Sequence, residues 1–344
     1  MAHAAMKLSQ SNTSPNDLEL PHDVTPETRQ VLAGLLKAGK TPMFCMPPSG
    51  ARAFYEQAAS ILELPNQPGL EVTMKNIIAR DQYRIPVRMY VPIEPESAPL
   101  VSTSVSALKG ALLYFHGGGF TVGSIHTHDG LCRRLCVASQ QIVLSIDYRL
   151  APEYVFPQAV HDAVDATQFI MEHGAEWGLD SNRIMVAGDS AGGTLASVVA
   201  LHARDQGWPL RGQLLIYPGT TAYQETDSHR VFAKGYVLEN EHIRYFFSHY
   251  IPDLKQRQDW RFAPSLAPEH SRLPPTWMVL AECDPLRDDG LLYAELLRGA
   301  GVPVDVQVYS GVVHGFIQWS RVIPQANQAT AFLAEAMRMH LTSA

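Results

Sequence analysis

Cysteine is scarce in this chain, which has four cysteines among its 344 residues. Cys45 and Cys283 stand alone, and Cys132 and Cys136 lie close together in a segment with a helical pattern. Such a low content excludes the disulfide framework of a small secreted domain. A zinc site would need further ligands at fixed spacing, and the sequence has none beside these thiols. We therefore expect reduced, buried cysteines and no metal.

Long apolar runs and an excess of positive charge are also missing. No run reaches the roughly 18 apolar residues of a membrane-spanning helix. The segment 1–17 is polar and lacks the apolar region of a signal peptide. Basic residues number 27 and acidic residues 34, a net charge of −7, which argues against nucleic acid or an anionic membrane as the main partner. The default expectation is a cytoplasmic protein without membrane insertion.

Hydrophobic residues make up 46% of the chain and charged residues 18%, which is typical of a globular protein with a large core. From residue 71 onward, eight segments have strand patterns, and the last six are continuous apolar runs typical of strands buried on both faces. The predicted strands are 72–79, 83–91, 111–115, 142–146, 184–187, 214–217, 277–280 and 304–309. Helical patterns alternate with the later strands at 129–139, 158–172, 191–204, 289–300 and 326–341. This alternation predicts an α/β fold with a mostly parallel sheet flanked by helices.

The N-terminal segment has a helical rather than a strand pattern. The stretch 25–28, Thr-Pro-Glu-Thr, predicts the start of a helix because it combines a capping residue with a proline in the first turn. A second helix is predicted over 51–62. The loop between these helices carries Met43, Phe44 and Met46, for which packing onto the protein body is favoured over lining a pocket.

The regular alternation is interrupted once. The interval 218–276 is too long for a plain loop, and it contains a helical pattern over 239–250. We interpret it as an excursion that joins the N-terminal helices in a cap over one end of the sheet. The segment 95–106, rich in proline, serine and valine, predicts an exposed loop. The predicted division is an N-terminal helical cap segment (1–75), a first part of the core (76–217), a cap excursion (218–260) and a second part of the core (261–344).

The first motif with a chemical meaning centres on Ser190, within Gly-Asp-Ser-Ala-Gly over 188–192. It follows a predicted strand and precedes a predicted helix. A serine on such a sharp turn is pushed out of the sheet, at a helix N-terminus that favours negative charge. The pentapeptide is a weak signal alone, so the strand–turn–helix context carries the prediction of a nucleophile. The alternative is an ordinary glycine-rich turn.

The second motif is His-Gly-Gly-Gly-Phe over 116–120, directly after the predicted strand 111–115. Three successive glycines leave bare backbone amides that can point into a cavity, as an oxyanion site requires. A phosphate cradle would need a lysine and a hydroxyl after the glycines, and Phe120 stands there instead. A flexible glycine loop is the other alternative.

An acid and a base for Ser190 follow the last two predicted strands. Asp284 comes after the run 277–280, and His314 comes after the run 304–309. Since the carboxyl ends of parallel strands share one edge of the sheet, we expect the three side chains to meet there. The histidine can take the serine proton while the aspartate holds the imidazole in the right tautomer.

Other ionisable residues near these positions are interpreted as structural. Asp288 and Asp289 are expected to open a helix as capping and dipole partners, and Glu282 is expected within the preceding strand. His126 and His128 lie near the glycine motif, and surface or structural roles are favoured over contact with a substrate.

In these motifs the chain resembles the hormone-sensitive lipase family of α/β-hydrolases, the bacterial family IV esterases. The resemblance covers most of the chain, from about residue 76 to the C-terminus. It rests on His-Gly-Gly-Gly-Phe (116–120), Gly-Asp-Ser-Ala-Gly-Gly (188–193), Asp-Pro-Leu-Arg-Asp-Asp (284–289) and His-Gly-Phe (314–316), supported by Asp-Tyr-Arg-Leu-Ala-Pro-Glu (147–153) with Phe156-Pro157.

The resemblance implies an α/β-hydrolase fold with a helical cap, and a carboxylesterase that hydrolyses short to medium acyl esters. It implies an acyl-enzyme mechanism through Ser190, His314 and Asp284, with no metal or organic cofactor. A hydrolase of amides, carbamates or lactones with the same triad is the first alternative. A non-catalytic small-molecule receptor on the same scaffold is the second.

The resemblance also implies that the amides of Gly117, Gly118 and Ala191 form the oxyanion site. Asp189 places the chain in the version of the family that has an acidic residue before the serine. Many members dimerise through the last strand and a nearby helix, so a homodimer is implied as well.

Overall fold

A single mixed sheet forms the centre of the protein. The computed structural model describes residues 20–59, 61–65, 68–93 and 108–342. Its strands are β1 (Leu70–Ile78), β2 (Arg84–Pro92), β3 (Lys109–Phe115), β4 (Ile142–Ile146), β5 (Leu179–Asp189), β6 (Leu210–Ile216), β7 (Thr276–Cys283) and β8 (Val304–Val313). They lie in the order β1-β2-β4-β3-β5-β6-β7-β8. β1 with β2 and β2 with β4 are antiparallel pairs, and the remaining neighbours are parallel.

Helices flank this sheet and follow most of its strands. The α-helices in the described part of the chain are α1 (Pro26–Lys37), α2 (Pro48–Ala59), α3 (Asp129–Ser139), α4 (Gln158–His173), α5 (Ala191–Gln206), α6 (Asp227–Val231), α7 (Asn240–Tyr250), α8 (Arg287–Gly299) and α9 (Pro324–Leu341). α3 packs on α9 and α4 packs on α5, and both pairs contact the strands. The central strands β3 and β4 are buried almost throughout, which is why their sequences are continuous apolar runs.

Four helices, α1, α2, α6 and α7, lie outside the alternation of strand and helix, and we call them the outer helices. α1 begins where the sequence predicts, because the amide of Thr28 donates to the capping hydroxyl of Thr25 at 3.2 Å. α2 and α7 share an apolar cluster that includes Ala51, Ile243 and Phe246. A second cluster joins Leu32 of α1 to Phe232, the residue that directly follows α6. The outer helices therefore pack on one another although α1 and α2 are far from α6 and α7 in sequence.

The predicted fold class is confirmed, since the sheet has eight strands, is mostly parallel and is flanked by helices. All eight predicted strands coincide with observed ones. β1 begins at Leu70, so the predicted domain boundary at residue 75 falls inside a strand. The loop predicted over 95–106 lies outside the described residues. Within the described ranges, no helix is both long and apolar enough to cross a membrane.

Candidate active site

The three side chains singled out as nucleophile, base and acid lie at one edge of the sheet. Ser190 stands between β5 and α5, Asp284 directly follows β7, and His314 directly follows β8. β5, β6, β7 and β8 are parallel neighbours, so their carboxyl ends point the same way. The topology therefore brings together residues that are up to 124 positions apart in the sequence.

Ser190 occupies a strained turn between strand and helix. Its backbone has φ 53° and ψ −121°, a conformation that L-residues adopt rarely and at a cost of about 1–3 kcal/mol. The turn is held by a hydrogen bond from the Ser190 amide to the carbonyl of Ile216 at 2.8 Å. It also needs glycine at 192, where a Cβ atom would lie 1.9 Å from the carbonyl oxygen of Phe115. Adjacent backbone thus crowds the turn and leaves the serine side chain projecting from it.

A chain of hydrogen bonds connects Ser190, His314 and Asp284. The Ser190 Oγ lies 3.0 Å from Nε2 of His314, and Nδ1 of His314 lies 2.7 Å from Oδ2 of Asp284. The Asp284 side chain is fully buried, and its Oδ1 accepts the amide of Leu286 at 2.8 Å. Because a carboxylate can only accept, Nδ1 carries the proton and Nε2 is left to accept from the serine hydroxyl. This is the arrangement in which a histidine can take a serine proton.

The glycine loop after β3 lies beside this chain of hydrogen bonds. Gly118 has φ +122°, and a Cβ atom there would lie 2.1 Å from the carbonyl oxygen of Val122, so only glycine fits. Gly118, Gly119 and Ala191 line the same cavity as Ser190. Their amides donate to no acceptor among the described residues. Three N–H groups without an acceptor in the described part of the chain therefore belong to residues that line the cavity at the serine.

The structure corrects the prediction for Gly117. Its amide donates to Oδ1 of Asp189 at 2.8 Å, and Gly117 does not line the cavity. The carboxylate of the residue before the serine reaches back across the sheet to the glycine loop, and it also accepts the hydroxyl of Tyr114 at 2.6 Å. This amide is therefore occupied inside the protein. The third glycine of the motif, Gly119, lines the cavity instead.

His128 completes the buried cluster around Asp189. Its Nε2 lies 3.2 Å from Oδ2 of Asp189, and both side chains are almost fully enclosed. Burial works against ionisation of Asp189, but the charge of His128 and the hydrogen bonds from His128 and Tyr114 together outweigh burial, so the pKa of Asp189 lies below its ordinary value. Burial alone would lower the pKa of His128, but the charge of Asp189 raises it above its ordinary value. The structural role expected of His128 agrees with this pairing.

An apolar cavity of about 760 Å³ opens beside Ser190, between the sheet edge and the outer helices. Met43 and Phe44 line it, while Met43 and Met46 pack against the apolar cluster shared by α2 and α7. The loop therefore packs onto the protein body, as favoured, and also contributes to the cavity wall. The loop between α1 and α2 lies against α7, which also lines the cavity. Pockets of this size enclose small organic molecules.

Asp289 is a second buried carboxylate on this side of the molecule. Its Oδ2 accepts the hydroxyl of Thr221 at 2.9 Å, and its backbone carbonyl accepts the hydroxyl of Thr220 at 2.8 Å. Its Oδ1 has no hydrogen-bond partner in the described part of the chain. Burial raises the pKa of Asp289 to about 7. Asp289 lies in the first turn of α8, as expected, but it ties that helix to the segment after β6 instead of capping its own helix.

The raised pKa of Asp289 predicts that the stability of the folded protein depends on pH. An ordinary aspartate in the unfolded chain titrates near pH 4, so between about pH 4 and 7 the folded protein holds a proton that the unfolded chain has lost. Stability from this group therefore falls as the pH rises through that window, by an amount on the order of 4 kcal/mol in total. Asp289→Asn mimics the protonated form and should remove the loss. Chemical denaturation should show that the free energy of unfolding of the variant, relative to that of the wild-type protein, is higher at pH 8 than at pH 5. An equal difference at both pH values contradicts the prediction.

The chain resembles known proteins both in sequence and in fold. A family model described as the alpha/beta hydrolase fold matches residues 112–318. An ethyl acetate hydrolase of Pseudomonas putida is 35% identical over 327 residues, covering 94% of this chain and all of that protein. Esterase LipI of Mycobacterium tuberculosis is 45% identical over 232 residues, covering 67% of this chain and 72% of that protein. A solved esterase from the archaeon Pyrobaculum calidifontis has a TM-score of 0.84 and 35% identity, covering 92% of this chain and 98% of its own.

Sheet order, serine turn and family match together define an α/β-hydrolase. Within that superfamily the chain belongs to the hormone-sensitive lipase family, the bacterial family IV esterases. It is an enzyme, and its activity is the hydrolysis of carboxylic esters.

Proposed function

We propose that Ser190, His314 and Asp284 hydrolyse esters in two acyl-transfer steps. Ser190 Oγ attacks the ester carbonyl while His314 Nε2 takes its proton, and the tetrahedral intermediate collapses when His314 returns that proton to the leaving alcohol. Water then attacks the acyl-enzyme in the same way and releases the acid. The observation that carries the proposal is the pair of hydrogen bonds on His314, 3.0 Å to the serine and 2.7 Å to the aspartate.

The oxyanion in this proposal is held by the amides of Gly118, Gly119 and Ala191. All three residues line the cavity at Ser190. Fixed donors aimed at a developing charge cost no reorganisation during the reaction, and each contributes about 3–4 kcal/mol where it has been removed from other hydrolases. Gly117 would then support the oxyanion site indirectly, because its hydrogen bond to Asp189 anchors the start of the loop.

We propose short to medium acyl esters as the substrates. The cavity of about 760 Å³ has mostly apolar walls, which suits an uncharged acyl chain and its alcohol. The relative from Pseudomonas putida is named for ethyl acetate, an ester with a short acyl group and a short alcohol. The outer helices would form the predicted cap, since residues of α1, α2 and α7 line the cavity at Ser190.

A rate profile over p-nitrophenyl esters from acetate to palmitate tests the substrate size. We expect kcat/KM to peak at short or medium chains and to fall steeply for the longest ones. A profile that rises up to palmitate contradicts the proposal. Mass spectrometry after treatment with a serine-directed phosphonate should locate the adduct on the peptide with Ser190, and an adduct on another residue overturns the nucleophile.

Matched amide, carbamate and lactone substrates separate the remaining alternative activities with the same triad. Cytoplasmic location and a homodimer stay predictions, the second from family resemblance alone.

A further inference from the structure

His242 stands on the cavity wall with its ring orientation fixed by local backbone structure. It is the third residue of α7, and it completes a reciprocal capping box with Glu239. In this box the amide of Glu239 donates to Nδ1 of His242 at 3.2 Å. Glutamate or glutamine normally fills the third helical position of a capping box, so histidine is an unusual choice here.

The capping contact fixes which ring nitrogen carries the proton. Nδ1 accepts an N–H group, so the proton of the neutral ring is on Nε2. Burial, reinforced by the charge of His314 nearby, lowers the pKa of His242 to about 4, so the ring stays neutral at ordinary working pH. The edge-to-face contact with Phe44, at 4.7 Å between ring centres, restrains the ring further.

The Nε2–H group of His242 is a free donor beside the cavity. Nε2 has no hydrogen-bond partner among the residues that the structure describes, and it is not among the fully buried polar atoms without a partner. The residue lines the cavity that also contains Ser190 and His314. A fixed donor without a partner in an otherwise mostly apolar wall is what gives a binding pocket its specificity.

Contacts of α7 indicate which part of the substrate His242 meets. Leu286, whose amide binds Asp284, packs in one apolar cluster with Ile243, the neighbour of His242, so the start of α7 lies on the side of the cavity with Asp284 and His314. In the proposed mechanism His314 protonates the leaving oxygen, so the alcohol part of the ester must lie on the side of His314. A second oxygen on that alcohol, as in an ether or hydroxyl two carbons from the ester, would come within range of this wall. An alkyl alcohol would leave the donor unpaired, which is unfavourable once water is excluded.

We propose that His242 is a specificity-determining residue whose Nε2–H binds an oxygen in the leaving alcohol, so that alkoxy- and hydroxyalkyl esters are preferred over alkyl esters of the same shape. This inference rests on the proposed function, because the location of the leaving group is deduced from the role proposed for His314.

The test compares two esters that differ by one atom. Butyl butyrate and 2-methoxyethyl butyrate have the same length, and an oxygen replaces one methylene group of the alcohol. We expect the ratio of their kcat/KM values, oxygen ester over alkyl ester, to fall about fivefold in His242→Leu, the size of one ordinary hydrogen bond. Intrinsic differences in reactivity cancel, because the same two esters are compared in both proteins.

Two matched variants separate the donor from the capping role. His242→Gln keeps an acceptor for the Glu239 amide and a donor for the cavity, so the ratio should stay within twofold of the wild-type value. His242→Glu keeps the acceptor without a donor and should lose the preference, which decides the question even if the leucine variant fails to fold. The pair butyl pentanoate and butyl 3-methoxypropanoate, with the oxygen in the acyl chain, should show no change in any variant.

The outcomes distinguish this inference from the proposed function. If the wild-type protein hydrolyses both butyrates and the ratio is the same in the wild-type, leucine and glutamate proteins, the role of His242 is overturned and the triad is unaffected. If instead the acyl-side pair responds and the alcohol-side pair does not, the donor exists but the assigned side is wrong. Failure of the wild-type protein to cleave butyl butyrate counts against the proposed substrates.

Discussion

Replacement of Ser190 by alanine should lower kcat on p-nitrophenyl butyrate by about a millionfold, because the members of such a triad act as one unit. Without Oγ there is no group to attack the carbonyl, and His314 has no proton to take. The amides of Gly118, Gly119 and Ala191 remain in place, so the residual rate reflects binding and the oxyanion site acting on water.

A serine in the same helix provides the control for this change. Ser197 is buried in α5, and its hydroxyl donates to the carbonyl of Gly193 at 2.9 Å, away from the cavity. Ser197→Ala should keep kcat within tenfold of the wild-type value, while both variants keep cooperative unfolding. A Ser190→Ala protein that retains most of its rate would show that another group is the nucleophile.

The sequence predicts the strands and the reactive residues well for a physical reason. Continuous apolar runs such as those of β3 and β4 have few alternatives to a doubly covered sheet, and such a sheet fixes where its loops lie. Once Ser190, Asp284 and His314 are placed after parallel strands, the topology leaves them one shared edge. Predicting that the three residues share this edge requires no knowledge of how individual side chains pack.

Contacts between side chains and backbone amides are harder to predict. The bond of Asp189 to Gly117 depends on the register of β3 against β5, in which Phe115 is paired with Gly188. No local pattern in the sequence specifies that a carboxylate occupies one amide of the glycine loop. The capping contact of His242 is hard to predict for a similar reason, since the usual signal of a capping box is glutamate or glutamine at that position.

Asp284→Asn should lower kcat by about ten-thousandfold while leaving the fold intact, as the equivalent change does in other serine hydrolases. The hydrogen bonds of this structure supply the cause. Asp284 Oδ1 accepts the amide of Leu286, and Oδ2 accepts from His314 Nδ1. An asparagine must direct its carbonyl oxygen to the Leu286 amide, so its NH₂ group faces Nδ1. The proton of the imidazole then moves to Nε2, which can no longer accept from Ser190.

A nearby aspartate tests whether the effect comes from this tautomer or from loss of any charge at the start of α8. Asp288 lies on the same turn, and its carboxylate accepts the amide of Ser228 at 2.8 Å. Asp288→Asn should change kcat less than tenfold. In Asp284→Asn we expect kcat to recover partly as the pH rises, because hydroxide can replace the missing base, whereas the wild-type enzyme keeps its own base and should show no such recovery. Equal losses in the two variants would mean that general electrostatics, not the orientation of His314, sets the rate.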